Sequence, residues 1–247
     1  ASVARNLEQV RRRIEEAAVR VGRDPDEVTL VAISKLFPLE KIQEAYEAGI
    51  KQFGENRVYE AAEKIPQIKM WVQEEGGEPI TWHMVGHLQR RKVEDACGLF
   101  HLIHSVDRVK LARRIDLICG RAEEIMPILL EVNVSGEESK YGFDLGRWPE
   151  GEEQLMSFLA DVGEMLELPH IKIRGLMTMA PLVEDPEETR PVFRGLRELR
   201  DLLQEEFPSA CWEELSMGMS NDFEVAVEEG ATMLRLGRIV FGPRPHR

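Results

Sequence analysis

Short apolar runs alternate with amphipathic stretches eight times along this chain, and that alternation constrains the fold more than any other feature. The runs are Thr29 to Lys35, Ile50 to Gly54, Thr81 to Val85, Leu102 to Val106, Ile128 to Val134, Ile171 to Gly175 and onward, Trp212 to Met217, and Thr232 to Leu236. Each is strand-length, and several are apolar throughout, as expected for strands covered on both faces. Helical periodicity follows each run. No linker rich in Pro, Gly or Ser interrupts the series. Regular β-then-α alternation over 247 residues predicts one α/β domain, residues 1–247, folded as a single (β/α)8 TIM barrel. An open doubly wound sheet is the alternative. It would more naturally show a Gly-x-Gly-x-x-Gly turn after the first strand, and none is present.

Ahead of the first strand, Val3, Leu7, Val10, Ile14, Ala17 and Val21 recur at helical spacing, with Ser2 as cap and Gly22 as stop. This predicts an extra N-terminal helix. Gly54-Glu-Asn-Arg57 turns into a helix through Val58, Ala61, Ala62 and Ile65. A basic helix is expected at Gln89 to Lys92. Asp185-Pro-Glu-Glu188 reads as a helix start, with Pro191 kinking the first turn or delaying it. The Glu, Arg and Lys pattern on the helices reads as a solvated outer face.

Lys35 ends the first strand. Side chains alternate along a strand, so Val31, Ile33 and Lys35 share one face. In a closed barrel that face is the interior, and the carboxyl ends of the strands are where barrels place their chemistry. A partly desolvated lysine there can attack an aldehyde to form a Schiff base. A lysine that merely caps the strand and points to water is the ordinary alternative.

After the last two strands come Leu215-Ser-Met-Gly-Met-Ser-Asn-Asp222 and Met233-Leu-Arg-Leu-Gly-Arg238. Small residues at Gly218, Ser220 and Gly237 let backbone amides approach a ligand, and the loops after strands seven and eight are the usual phosphate cradle of a barrel. Ordinary turn chemistry uses the same residues. Arg235 shares a face with Met233 and Gly237, so it points inward and needs an acceptor. A cofactor ring nitrogen would serve, and so would a carboxylate such as Glu131. His83 and His104 lie on strands, His87 and His101 near strand ends. Metal-ligand spacing is absent, and core or hydrogen-bonding histidines are the reading.

The net charge of −13 argues against nucleic acid or an anionic membrane as the main partner. Cys97, Cys119 and Cys211 fit neither a disulfide framework nor a zinc site, which points to a reducing compartment. With no signal peptide and no apolar run of spanning length, the expected location is cytoplasmic. A monomer is expected.

Six stretches in order resemble one family: Val31-Ala-Ile-Ser-Lys35, Phe53-Gly-Glu-Asn-Arg57, Trp82-His-Met-Val-Gly86 with Leu88-Gln89, Arg174-Gly-Leu-Met-Thr-Met179, Leu215-Ser-Met-Gly-Met-Ser220, and Arg235-Leu-Gly-Arg238 with Ile239 to Arg244. The family is that of the pyridoxal phosphate homeostasis proteins (the YggS/PROSC type). It is similar in fold to the barrel domain of alanine racemase, the fold type III of pyridoxal 5'-phosphate (PLP) proteins. The resemblance implies that Lys35 carries PLP covalently as a Schiff base. It implies that Ser220, Gly237 and Arg238 bind the phosphate, that Arg235 faces the pyridine nitrogen, and that Asn56 and Met217 lie near the ring. Departures from the family pattern occur at His87, where a small residue or proline is common, and at Arg91, where asparagine is usual.

An arginine at the ring nitrogen leaves the ring a weak electron sink, since a guanidinium does not easily give up a proton. The chain ends at Arg247, after the last motif, so a racemase's second domain is not expected. The reading is a non-catalytic PLP-binding protein that carries the cofactor, maintains vitamin B6 homeostasis and hands PLP to apo-enzymes. A PLP-dependent amino-acid racemase is the alternative, and a Schiff-base aldolase barrel the third. Lys140, in the loop after the fifth strand, is a candidate waypoint for the cofactor, with a solvated surface lysine as its alternative.

Overall fold

The computed structural model describes residues 2–138 and 141–245. The sequence expectation at Lys140 therefore lies outside the described residues. In chain order the elements are α1 (Val3–Arg20), β1 (Thr29–Ile33), α2 (Leu39–Glu47), β2 (Gln52–Glu55), α3 (Val58–Glu74), β3 (Thr81–Met84), α4 (Val93–Leu99), β4 (Leu102–Val106), α5 (Val109–Arg121) and β5 (Met126–Asn133). Then come β6 (Phe143–Asp144), α6 (Glu152–Leu166), β7 (Ile171–Met177), α7 (Arg190–Glu206), β8 (Glu214–Ser216), α8 (Phe223–Glu228), β9 (Met233–Leu236) and α9 (Arg238–Phe241).

Among the described residues, β1, β2, β3, β4, β5, β7, β8 and β9 pair in parallel around a closed ring. The pairing of β1 with β9 and of β4 with β5 completes it. This is the (β/α)8 barrel of the sequence expectation. The short β6 lies outside the ring and pairs only with the end of β5, Val132 opposite Phe143.

The main core lies between the strands and the helices. Ala32, Phe53, Trp82, Ile103, Ile128, Leu176 and Leu234 supply it from the sheet, with helix residues such as Ile42, Leu111 and Leu199. Inside the ring, two small apolar clusters form instead: Val31, Ile33 and Val85, and Leu102, Leu129 and Met177. Strand alternation produces this division, since Val31 and Ile33 face in while Ala32 faces out. Gly54 on β2 makes room for it, because a Cβ there would sit 2.6 Å from Ile33 Cδ1.

Several local expectations change. α1 ends at Arg20, so Val21 is an exposed residue beyond the apolar stripe. The Ser2 cap is present, its hydroxyl accepting from the Arg5 N–H at 3.2 Å. α1 lies against α8 and α9, and Arg23 beyond it donates to the carbonyls of Val227 and Ala231 at 2.7 and 2.9 Å. α3 runs through Pro66 to Glu74, because Ile68 and Val72 continue its buried stripe. The basic segment Arg90–Lys92 is one 3-10 turn leading into α4. Asp185 caps a 3-10 turn over Pro186–Thr189, and α7 starts after it, with Pro191 in its first turn where a missing N–H costs nothing. Cys97 on α4 and Cys119 on α5 bring their sulfurs to 2.8 Å, a contact that spacing in sequence did not reveal.

Candidate functional site

β1 ends at Ile33, short of the expected Lys35, which follows after Ser34 in a turn and is half-buried at the carboxyl end of the barrel. Its pKa is lowered, first by burial and then by the charges of Arg244, Arg238 and Arg57, with Glu60 acting in the opposite sense. Three arginines from different parts of the chain thus act on one lysine. Like charges gathered in a partly buried place are unfavourable unless an anion joins them. Arg244 carries a second sign of the same thing: its Nε is buried without a hydrogen-bond partner.

Asn56, just past β2, is half-buried, and its Oδ1 is also buried without a partner. Gly86, past β3, packs directly on the Asn56 backbone; a Cβ at Gly86 would overlap the Asn56 carbonyl. The close approach of two strand ends explains why that position is glycine.

Gly237 ends β9 and caps α9, which starts at Arg238. A Cβ at Gly237 would lie 3.4 Å from the Ile33 carbonyl, so this turn abuts the end of β1 next to Lys35. The first N–H groups of a helix lack intrahelical acceptors. Across β8, Gly218 adopts φ 105°, and the Arg235 N–H donates to its carbonyl at 3.0 Å, tying the two loops together. Ser220 sits half-buried in the turn before α8. That turn is closed by Asp222, whose Oδ1 accepts from the Met219 N–H at 2.8 Å. The loops after β8 and β9 are therefore neighbours, and the second abuts the end of β1 near Lys35.

Met217 is buried in the outer core cluster. Ser216 before it faces inward, so by alternation the Met217 thioether points away from the interior. Only its backbone can border a ligand.

Arg235 faces inward and is buried. It donates to Ser216 Oγ at 2.6 Å, to the Thr178 carbonyl at 2.8 Å and to Met179 Sδ at 3.2 Å. Burial lowers its pKa to about 10, while Glu131 and Asp222 act to raise it. It remains protonated at neutral pH.

The acceptor Ser216 continues a chain through the barrel interior. Ser216 Oγ lies 2.8 Å from His104 Nδ1, His104 Nε2 lies 2.8 Å from His83 Nδ1, and His83 Nε2 lies 2.6 Å from Gln52 Oε1. Burial holds His83 at about 3 and His104 well below the usual histidine range, so both are neutral at pH 7. One assignment of protons satisfies every link. Arg235 donates to Ser216, Ser216 to His104, His104 to His83, and His83 to Gln52. The two histidines are hydrogen-bonding core residues, as the sequence suggested.

The arrangement fits a small anionic aldehyde such as PLP. Lys35 supplies an amine, Arg238 and Arg244 supply positive charge, and the unpartnered Asn56 Oδ1 and Arg244 Nε supply unsatisfied polar atoms. A groove of about 730 Å³ lined by Met165, Lys172, Arg200 and Trp212 opens at the other end of the strands, away from these groups.

Residues 3–245 match the family model of the alanine racemase N-terminal domain. The chain is 43% identical over 240 residues to a pyridoxal phosphate homeostasis protein of Aquifex aeolicus, covering 97% of each. The chain belongs to the pyridoxal phosphate homeostasis protein family. A member from Escherichia coli K12 is 37% identical over 246 residues, covering 99% of this chain and 97% of the relative. The structure of PipY from Synechococcus elongatus with PLP bound superposes with a TM-score of 0.80 at 35% identity, covering 97% of this chain and all of that one. An alanine racemase of Clostridium difficile shares the fold at 16% identity and a TM-score of 0.70, and this chain covers 57% of it.

Arg57 and Arg244, whose charges act on Lys35, were not singled out from the sequence, although both stand in the motifs that carry the resemblance. Neither lies in a strand, so the period of two that placed Arg235 could not place them.

Proposed function

We propose that this protein binds PLP at the barrel mouth, attaches it covalently through Lys35, and serves as a non-catalytic carrier in vitamin B6 homeostasis. The observation that carries the reading is the gathering of Arg57, Arg238 and Arg244 around Lys35, with Arg244 Nε left without an acceptor. The names and the bound ligand of its relatives support the same reading.

PLP supplies a reactive aldehyde and, through its ring, a capacity to accept electrons. The remaining chemistry belongs to the chain. Burial and the neighbouring arginines lower the Lys35 pKa, which raises the fraction of neutral, nucleophilic amine. Ser220 and the amides around Gly237 and Arg238 are assigned to the phosphate, with Arg244 completing the charge. Asn56 and the Met217 backbone border the ring. Arg235 is assigned to the ring nitrogen. It approaches as a donor that stays protonated, and its hydrogen bonds to Ser216 and the Thr178 carbonyl fix its direction. A donor there leaves the ring nitrogen without a proton of its own, which makes the ring a weaker electron sink.

Comparison of PLP with pyridoxal, which lacks the phosphate, tests the site. PLP should bind at least about a hundredfold tighter, equivalent to about 3 kcal/mol from the charged hydrogen bonds, and Arg244→Ala should erase much of that preference. Equal binding of the two would sink the phosphate assignment. For the carrier role, the loaded protein is mixed with an apo-aminotransferase, with and without a trap for free PLP. Reactivation that survives the trap supports hand-over, and complete loss of it refutes hand-over.

A further inference from the structure

Lys35 sits in a turn that its own residues do not favour. The Ser34 carbonyl accepts from the Phe37 N–H at 3.1 Å, closing a four-residue turn with Lys35 and Leu36 at its centre. Leu36 has φ 66°. This is the left-handed region, at the second central position of the turn, where glycine is the usual occupant. A leucine held there is strained and persists only when its surroundings over-determine it.

The first turns of α3 do so from both sides. The Glu60 carboxylate accepts from the Leu36 N–H at 2.7 and 3.2 Å. Lys64 Nζ donates to the Ser34 carbonyl at 2.8 Å. The same ammonium meets Glu55 Oε1 at 3.1 Å and Glu60 Oε2 at 3.4 Å. The first contact is a hydrogen bond and the other two are ion pairs. Glu60 and Lys64 stand one helical turn apart, the spacing that puts both on one face of a helix. That face is turned to the barrel, not to water: the Lys64 and Glu60 side chains are only 12% and 19% exposed. The peptide groups on either side of Lys35 are therefore both pinned to α3.

We propose that Glu60 and Lys64 are positioning residues for Lys35, holding the Ser34–Phe37 turn in the conformation that directs the Lys35 amine toward Arg238 and Arg244. The inference rests on the proposed role of Lys35 and adds two residues to it. Without the Glu60 carboxylate, Leu36 is released to negative φ, the turn reorganises, and the amine leaves its place beside the arginines. A glycine at position 36 keeps positive φ without that help.

The test is the rate at which the apo-protein attaches PLP covalently, followed by absorbance and confirmed by borohydride trapping and peptide mapping. Glu60→Ala should slow attachment about tenfold, the loss expected when one hydrogen bond to a charged group no longer holds the reactive geometry. Glu60→Gln keeps an acceptor oxygen and should recover part of the rate; it also serves if the alanine variant folds poorly. The double variant Leu36→Gly/Glu60→Ala should recover most of the rate, which a merely structural contribution of Glu60 would not produce. Lys64→Met paired with Glu55→Gln, which removes the ammonium together with the fully buried carboxylate it faces, should slow attachment to a similar extent. Wild-type rates in Glu60→Ala, or a double variant as slow as Glu60→Ala, would overturn the proposal while leaving Lys35 in its role. Absence of any Lys35-dependent attachment in the wild type would refute both.

Discussion

Replacing Ser216 by alanine removes one hydroxyl from the middle of the barrel and cuts the chain between Arg235 and His104. Ser216 and His104 are fully buried and Arg235 nearly so. The hydroxyl accepts from Arg235 at 2.6 Å and faces His104 Nδ1 at 2.8 Å. A hydrogen bond to a charged group contributes about 1.5–3 kcal/mol, and a buried acceptor left without a donor costs about 1–3 kcal/mol. The two effects overlap at one small site, so the expected loss is about 3 kcal/mol rather than their full sum. At about 2–4 °C per kcal/mol for a domain of this size, the melting temperature should fall by about 6–12 °C. Urea unfolding monitored by circular dichroism gives the free energy, and a thermal melt gives the shift. The wild type and the variant should have the same m-value, showing that stability alone has changed. A loss below about 1 kcal/mol, under the cost of a single unmade buried bond, would show that the hydroxyl does not link the two residues.

Three further outcomes follow from other buried groups. His83 and His104 should keep neutral imidazole signals by NMR from pH 8 down to pH 5, since burial depresses both. Their unfolded forms bind protons near the usual histidine value, so this stability is full above about pH 6.5 and is lost as pH falls toward 3. A titration of either ring near pH 6.5 would contradict the buried neutral pair. Glu55 has the opposite sign. Burial raises its carboxyl to about 7 from 4.5, against the pull of Lys64 and with a push from Glu60. The native state then holds the extra proton between those values, so this group's contribution falls as pH rises across that window. Relative to Glu55→Gln, which shares every other titrating group, the wild type should lose up to about 3 kcal/mol of unfolding free energy between pH 5 and pH 8; equal pH slopes in the two proteins would refute it. Cys97 and Cys119, with sulfurs 2.8 Å apart, should join when treated with a low-molecular-weight disulfide. The two thiols lose two hydrogens and two electrons, and the reagent is reduced to two thiols. Peptide mapping that finds only mixed disulfides at Cys97 would contradict this.

The barrel was legible because its strands are short, apolar and regularly spaced, and because Val31 and Ile33 alternate as a buried strand requires; Lys35, expected on the same strand, stands in the turn that follows it. The inward direction of Arg235 followed from the same period. Its acceptors did not, since Ser216, Thr178 and Met179 come from two other strands, and only closure of the ring brings them together. Glu60 and Lys64 were hidden for a different reason. An i,i+4 acid–base pair on a helix looks like a solvated face, and only the packing of α3 against the β1 end turns it inward. The two-residue strand β6 has no apolar run to announce it. The resemblance puts Met217 near the ring, and the structure packs its side chain into the core between strands and helices, which leaves its backbone for that role.

The central claim is that Lys35 is the residue that takes up PLP. Incubation with PLP, reduction with borohydride and peptide mass mapping test it directly, with Lys35→Ala as the control. The adduct should map to the peptide carrying Lys35 and vanish in the variant. An adduct confined to other lysines, or labelling of the Lys35→Ala protein equal to that of the wild type, would contradict the account.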